Sequence, residues 1–427
     1  MKLIGPFKQL LTMAELPARG PLSDDRLEIR SNQGILVLDG KIEAVDDFHK
    51  LEAESNPKTI EFLNEDYVAL PGMIDVHTHI CWAGTRAEEY ALRLSGANYR
   101  AINAAGGGIW NTVGQTRQKP MQELAAVTAV HARQLLEQGI TTIEVKSGYG
   151  LAVDQELKIL QAIAEAAKKS KADLIPTCLA AHMLPKDFEG DEVKYLDHIL
   201  NELLPVVLKK GLSRRVDIFV DSGAFSLPAA REFLFKVRDM GFDRIVHGDQ
   251  FTAGAAQLAT ETGALSIDHL EAADDREIAV LAGGNTIPVV LPGASMGLGL
   301  PFAPARRLLD AGTSLVIASD WNPGSAPMGN LLIQAAILGA AQKLTMAETW
   351  AALTCRAALA LNLNDRGSLE TGKLADIMVF KTDNYQDILY HQGYLPVERV
   401  WKNGRCAYKR VIKESNCDRF FEIQEND

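Results

Sequence analysis

The strongest constraint on the fold is an alternation. Through the middle of the 427-residue chain, short runs rich in Val, Ile and Leu take turns with longer amphipathic stretches. Residues 140–145, 174–179, 216–220, 244–247 and 315–317 read as buried strands. Residues 122–137 and 155–169 carry apolar side chains at helical spacing. Strand, helix and strand in succession favour parallel pairing. About 300 residues of this pattern predict a closed, TIM-like (β/α)8 barrel rather than an open sheet. In such a barrel the chemistry sits where strands end.

The two ends of the chain follow another pattern. Residues 35–45 contain two short apolar strands joined by Asp39-Gly40, a strong hairpin-turn signal. Near the C-terminus, residues 374–380 and 397–400 read as strands, with a turn at Asn403-Gly404. Strand-rich ends around a different middle predict a small β-sandwich domain assembled from residues 1–69 and 367–427, with the barrel over residues 70–366. An apolar share of 47% is ample for so large a core.

The charge balance removes several classes of function. Lys and Arg total 44 against 55 for Asp and Glu, a net charge of −11. This argues against a nucleic-acid partner, since phosphate contacts need clustered cations, and against anchoring to anionic lipid. It leaves room for an anionic small-molecule substrate, because one well-placed Arg holds a carboxylate. Cys81, Cys178, Cys355, Cys406 and Cys417 are an odd set without a C-x-x-C pair. That suits a reducing compartment, so a cytoplasmic location is expected. The N-terminus lacks the apolar run and cleavage pattern of a signal peptide. No stretch approaches the roughly 20 apolar residues of a membrane helix, so no membrane partner is expected.

The sharpest local signal is Pro71-Gly72-Met73-Ile74-Asp75-Val76-His77-Thr78-His79. Two His separated by one residue project to the same side of a strand and can chelate one ion; neutral imidazole suits zinc or iron. Alone, the pair is equally readable as two surface His. The remaining candidates shift that balance, because each also terminates an apolar run: His182 after residues 175–181, His247 after 244–246, His269 after 264–268 and Asp320 after 315–319. A barrel would gather them at one mouth. Singly, His182 or His269 is also readable as a core histidine. His49, His131, His198 and His391 lie outside the pattern and are taken as ordinary residues. Three His and a carboxylate leave room for a water, whose proton Asp320 could take and pass to a leaving nitrogen.

These residues resemble the amidohydrolase superfamily: His77-x-His79 on one strand, the later His247 and His269, and Asp320 on the last. Gly367-Ser368-Leu369-Glu370-Thr371-Gly372-Lys373-Leu374-Ala375-Asp376-Ile377 resembles the segment by which those enzymes return to their small β domain. More narrowly, several stretches resemble the imidazolonepropionase family: His79-Ile80-Cys81-Trp82-Ala83-Gly84-Thr85-Arg86, Gly106-Gly107-Gly108-Ile109, Glu144-Val145-Lys146-Ser147-Gly148-Tyr149-Gly150-Leu151, His247-Gly248-Asp249-Gln250 and Ser319-Asp320-Trp321-Asn322-Pro323-Gly324-Ser325. The likeness runs over nearly the whole chain. It implies one Zn or Fe ion held by His77, His79, His247 and Asp320, hydrolytic opening of 4-imidazolone-5-propanoate to N-formimidoyl-L-glutamate in histidine breakdown, and a homodimer. Substrate contacts carry over as Arg86, Tyr149, His182, Gln250, Asn322, Gly324 and Ser325.

The side-chain chemistry agrees in kind. Arg86 suits a bidentate pair with a carboxylate tail, and Tyr149 adds a hydroxyl donor; a surface ion pair is the alternative for Arg86. His182 is expected to steady the oxyanion. Gln250 stands where some relatives carry Glu, and a neutral amide cannot act as a base. Proton transfer therefore falls to Asp320, with His269 orienting or sharing the proton. Lys146 is read as structural and not as the carboxylated bridge of two-metal relatives. Gly106-Gly107-Gly108 is followed by Ile and Trp, so it is no P-loop, and an active-site loop is the better expectation. Two further readings remain: an amidohydrolase opening another cyclic amide or acting on an aminated base, as hydantoinases and deaminases do, and an inactive barrel serving as a binding module. Arg86, Tyr149 and the Asn322-Pro323-Gly324 turn speak against the first. The complete ligand set speaks against the second.

Overall fold

The computed structural model describes residues 1–96 and 107–411. Its centre is an eight-stranded parallel sheet in which every strand pairs with its neighbour in the chain. The strands are Met73–Asp75, Ile140–Lys146, Asp173–Ala181, Arg215–Val220, Asp243–Gly248, Ser266–His269, Ile287–Val290 and Val316–Ile317. Helices such as Met121–Glu137 and Val153–Lys169 run between them. Each buries an apolar face, including Leu124, Leu135 and Ile163, on the sheet's outer side.

The sheet closes beyond the regular ladder. Thr78 and Trp321 form a parallel bridge between the ends of the first and eighth strands. Asp320 N donates to His77 O at 3.0 Å, and His79 N to Trp321 O at 3.0 Å. The Asp75 carboxylate takes Ser319 N at 3.1 Å just below. Behind this seam His131 stacks on Trp82 at 4.2 Å.

The chain ends build two further sheets. A four-stranded sheet comprises Lys2–Phe7, Gln33–Leu38, Lys41–Asp47 and Thr59–Phe62. A six-stranded sheet joins Gln9–Leu11, Ile29–Arg30 and Tyr67–Pro71 from the N-terminal side to Ile377–Lys381, Val397–Lys402 and Arg405–Lys409. Ile4, Phe7, Ile35, Ile377, Val379 and Trp401 share one buried cluster between them. Both expected hairpin turns form. Asp39 and Gly40 have φ of 49° and 85°, Asn403 and Gly404 of 50° and 70°. Positive φ at two successive residues is the demand of the tight hairpin turn that Asp-Gly and Asn-Gly meet best.

The rim where strands begin is tied down by two arginines. Fully buried Arg356 donates to Pro17 O at 3.0 Å and Gly20 O at 2.7 Å. Arg19 donates to Gly284 O and Ala282 O at 2.8 Å and to Gly312 O at 3.1 Å. The N-terminal segment thus seals the base and leaves the other rim for chemistry. Among the described residues no helix is long and apolar enough to cross a membrane. Cys417 and Gly106 lie outside the described residues, while Gly108 leads into the helix Ile109–Gln118.

Candidate active site

The rim where strands end brings the strand-end residues together. His77 and His79 leave the first strand with their rings on one side, and His77 Nε2 lies 3.3 Å from His79 Nε2. His247, near the end of the fifth strand, completes a group whose ligand atoms all lie within 4.8 Å of one another. Asp320 Oδ1 sits 3.4 Å from Nε2 of both His77 and His79. The ladder explains the convergence: His247 registers with Asp268 on the sixth strand, while the closing bonds at residues 77–79 and 319–321 lock Asp320 beside the His pair.

Buried carboxylates set the direction of the rings. His77 Nδ1 bonds Asp268 Oδ2 at 2.6 Å, and His247 Nδ1 bonds Asp217 Oδ1 at 2.9 Å. A carboxylate accepts, so each Nδ1 carries the proton and each Nε2 turns a lone pair inward. His247 Nε2 is buried and has no hydrogen-bond partner. Burial pushes the His247 imidazole well below its ordinary pKa, in its neutral form. These donors fit a divalent transition-metal ion. A tetrahedral shell at about 2.0–2.1 Å puts its ligand atoms roughly 3.3–3.4 Å apart, the separations found among His77, His79 and Asp320. The orphaned His247 Nε2 has the acceptor chemistry to join them.

His269 lies on the same rim, its ring centroid 5.5 Å from that of His247 and 5.9 Å from that of His77. Its backbone has a φ of 98°, and Asp320 one of 50°. Such left-handed conformations are costly outside glycine and cluster where function holds them. Glu271 Oε2 stands 3.5 Å from His269 Nδ1.

His182 stacks on His79 at 5.5 Å and 20°. Its Nδ1 is 3.0 Å from Gly148 O. A carbonyl only accepts, so Nδ1 carries the proton. Burial pushes the ring down to about 3, which keeps it neutral and leaves Nε2 a lone pair. The expected donor to an oxyanion is therefore an acceptor in this arrangement, suited to a substrate N–H. Tyr149 is buried with its ring 5.8 Å from both His79 and His182, and burial together with the Asp320 charge raises its phenol.

On the opposite wall, Glu89 Oε2 accepts from Arg86 Nε at 2.9 Å and Nη2 at 2.8 Å. Arg86 Nη1 packs against Gly324 so closely that a Cβ there would lie 2.1 Å from it. The Asn322 side chain shapes this turn: its Oδ1 accepts Gly324 N at 2.7 Å and Ser325 N at 2.8 Å, and its Nδ2 donates to Asp320 O at 2.7 Å. Ser325 Oγ donates to Asp320 Oδ2 at 3.3 Å, so the two oxygens of Asp320 face different partners. Gln250 N is held by Asp221 Oδ2 at 2.9 Å in the loop after the fifth strand.

Asp217, Asp268, Glu144 and Glu89 were not among the residues expected from the sequence. The signal was there for three of them. An acid inside an apolar strand, as in Arg215-Val216-Asp217-Ile218, must find a buried partner, and a nearby strand-end His is the natural one.

A model of the amidohydrolase family matches residues 102–408. The imidazolonepropionase of Bacillus cytotoxicus is 39% identical over 352 residues, 82% of this chain and 83% of that protein. The imidazolonepropionase of Bacillus mycoides is 40% identical over 343 residues, 80% of this chain and 81% of that protein. Among solved structures, atrazine chlorohydrolase from Arthrobacter aurescens complexed with zinc superposes with a TM-score of 0.73 at 18% identity, covering 96% of this chain and 95% of that one. A zinc-bound adenosine deaminase from Xanthomonas campestris gives 0.70 at 18%, covering 95% and 92%. These two distant likenesses speak for the fold. Sequence identity near 40% over four-fifths of the chain carries the narrower statement, and the chain belongs to the imidazolonepropionase family of the amidohydrolases.

Proposed function

We propose that this chain opens the ring of 4-imidazolone-5-propanoate to N-formimidoyl-L-glutamate, with one zinc or iron ion held by His77, His79, His247 and Asp320. The observation that carries the site assignment is the convergence of three inward-facing imidazole nitrogens and one carboxylate, with Arg86 packed against Gly324 in the turn that follows Asp320. A divalent ion in that shell supplies Lewis acidity toward water and a carbonyl oxygen; the donor set suits zinc and iron alike. The chain's own groups do the rest. Arg86, held along one edge by Glu89, offers its remaining donors to the propanoate, and Tyr149 adds a hydroxyl. The turn of Asn322, Gly324 and Ser325 encloses the tail, and Gln250 borders the ring as an amide that takes no proton. His182 Nε2 accepts a ring N–H.

Asp320 receives the proton of the attacking water on Oδ2 and returns it to the ring nitrogen as the carbonyl C–N bond breaks. The water oxygen stays on the carbonyl carbon, which becomes the α-carboxylate of the product, and the freed nitrogen ends the formimidoyl group. His269, on the same rim, orients or shares that proton. A cytoplasmic homodimer is the assembly that accompanies this reading, to be checked by light scattering on the purified protein. Metal-replete enzyme given imidazolone propanoate is expected to consume its absorbance and yield formimidoylglutamate. Retention of the substrate, with turnover of a hydantoin or an aminated base instead, would overturn the assignment.

A further inference from the structure

Lys146 ends the second barrel strand, is fully enclosed, and has no part in the reaction above. Its Nζ donates to Asp217 Oδ2 at 2.8 Å and to Glu144 Oε1 at 2.9 Å, and lies 3.7 Å from Asp268 Oδ2. Two of these acids hold histidines, and the third holds the backbone between two of them. Asp217 holds His247, Asp268 holds His77, and Glu144 Oε2 takes the backbone N of Thr78, between His77 and His79, at 3.3 Å. Asp217 and Asp268 also form, with His247, a second group whose ligand atoms lie within 4.8 Å of one another; His247 is shared with the first group and its Nδ1 is engaged by Asp217, so the oxygens of the two acids are what a second cation would find. The Lys146 ammonium is bonded into that group.

We propose that the Lys146 ammonium is a built-in cation that fills a second ion position beside the three histidines and so limits the site to one divalent ion. Carboxylates this deep need a compensating charge. An ammonium on a tethered stem supplies it with three donors and cannot be lost by exchange or chelation. A second free ion would have to displace it from oxygens already engaged. Removing the ammonium without refilling its space would leave Glu144, Asp217 and Asp268 as hard oxygen donors around a void, a setting that suits Mn²⁺.

The test counts ions. Native enzyme, Lys146→Ala and Lys146→Met are loaded with zinc, dialysed against Mn²⁺ and analysed for metal per chain, with thermal unfolding followed in parallel. The native chain is expected to keep one ion and no Mn²⁺. Lys146→Ala is expected to gain one Mn²⁺ per chain and to melt higher in its presence. Lys146→Met, which fills the space with an apolar chain, is expected to gain none. Recovery of folded Lys146→Ala only when Mn²⁺ is present during refolding is the same result in stronger form. The proposal is overturned if Lys146→Ala takes up no additional ion, if Lys146→Met gains one equally, if the native chain binds two, or if Lys146→Ala fails to fold with and without Mn²⁺. Because the readout is stoichiometry, failure of the imidazolone assay would leave the proposal standing.

Discussion

The proposed reaction gives Asp320 two duties, and its two oxygens face different ways: Oδ1 faces His77 and His79 while Oδ2 faces Ser325. Asp320→Asn keeps the shape and one ligand oxygen but cannot accept and return a proton. It is expected to lower kcat by about 10²–10⁴-fold with little change in KM, measured by steady-state kinetics at equal metal content; near-native turnover would refute the proton role. Gly324 probes the other wall. An added Cβ meets Arg86 Nη1 and Cζ, the far end of a flexible side chain, so the guanidinium moves and the fold is spared. Gly324→Ala should raise KM by roughly tenfold, about 1.4 kcal/mol of lost binding, while leaving the melting temperature near native. The proposed ligands stand out in the sequence because each terminates an apolar run. Their orienting acids were legible only as buried acids in need of a partner: His77 and Asp268 are 191 positions apart, and the sequence does not say which acid meets which ring.

At the scale of elements, legibility followed local signal. The Asp39-Gly40 and Asn403-Gly404 turns carry their chemistry in two adjacent residues, and both hairpins formed as expected. Strands two to five, with runs of Val and Ile, were found to within a few residues. The seventh, Ile287–Val290, was not, since it has four residues, one of them Pro288, and a second proline follows at 292. Its parallel pairing with its neighbours stabilises what local propensity does not. The eighth has two regular residues, because the chain leaves the ladder early to present Asp320. The base is held by contacts no strand pattern reveals, and Arg356 is the clearest. Arg356→Ala removes charged donors from Pro17 O and Gly20 O and opens a cavity. A loss of about 3 kcal/mol is expected, seen as a lower unfolding temperature with kcat unchanged. An unshifted transition would show that the N-terminal segment is not held by this residue.

For the molecule as a whole, an ion bound at the proposed site would be coupled to the fold. Without a cation the inward nitrogens of His77, His79 and His247 have only one another and Asp320 to face. Chelator-treated protein should unfold at a lower temperature than the loaded form. The difference should approach about 4 kcal/mol at a thousandfold excess of free ion over Kd and be restored by zinc; identical transitions would place the ion elsewhere. The seam carries a last consequence. Residues 77–79 meet residues 319–321 through backbone bonds, and those two segments bear three of the four proposed ligands. During synthesis the paired imidazoles emerge early, His247 much later, and the acid only after most of the chain has left the ribosome. With the proposed ligand set, capture of an ion in its final setting would be deferred to the moment the last stave shuts the barrel, and an unfinished chain would have no finished centre with which to sequester metal.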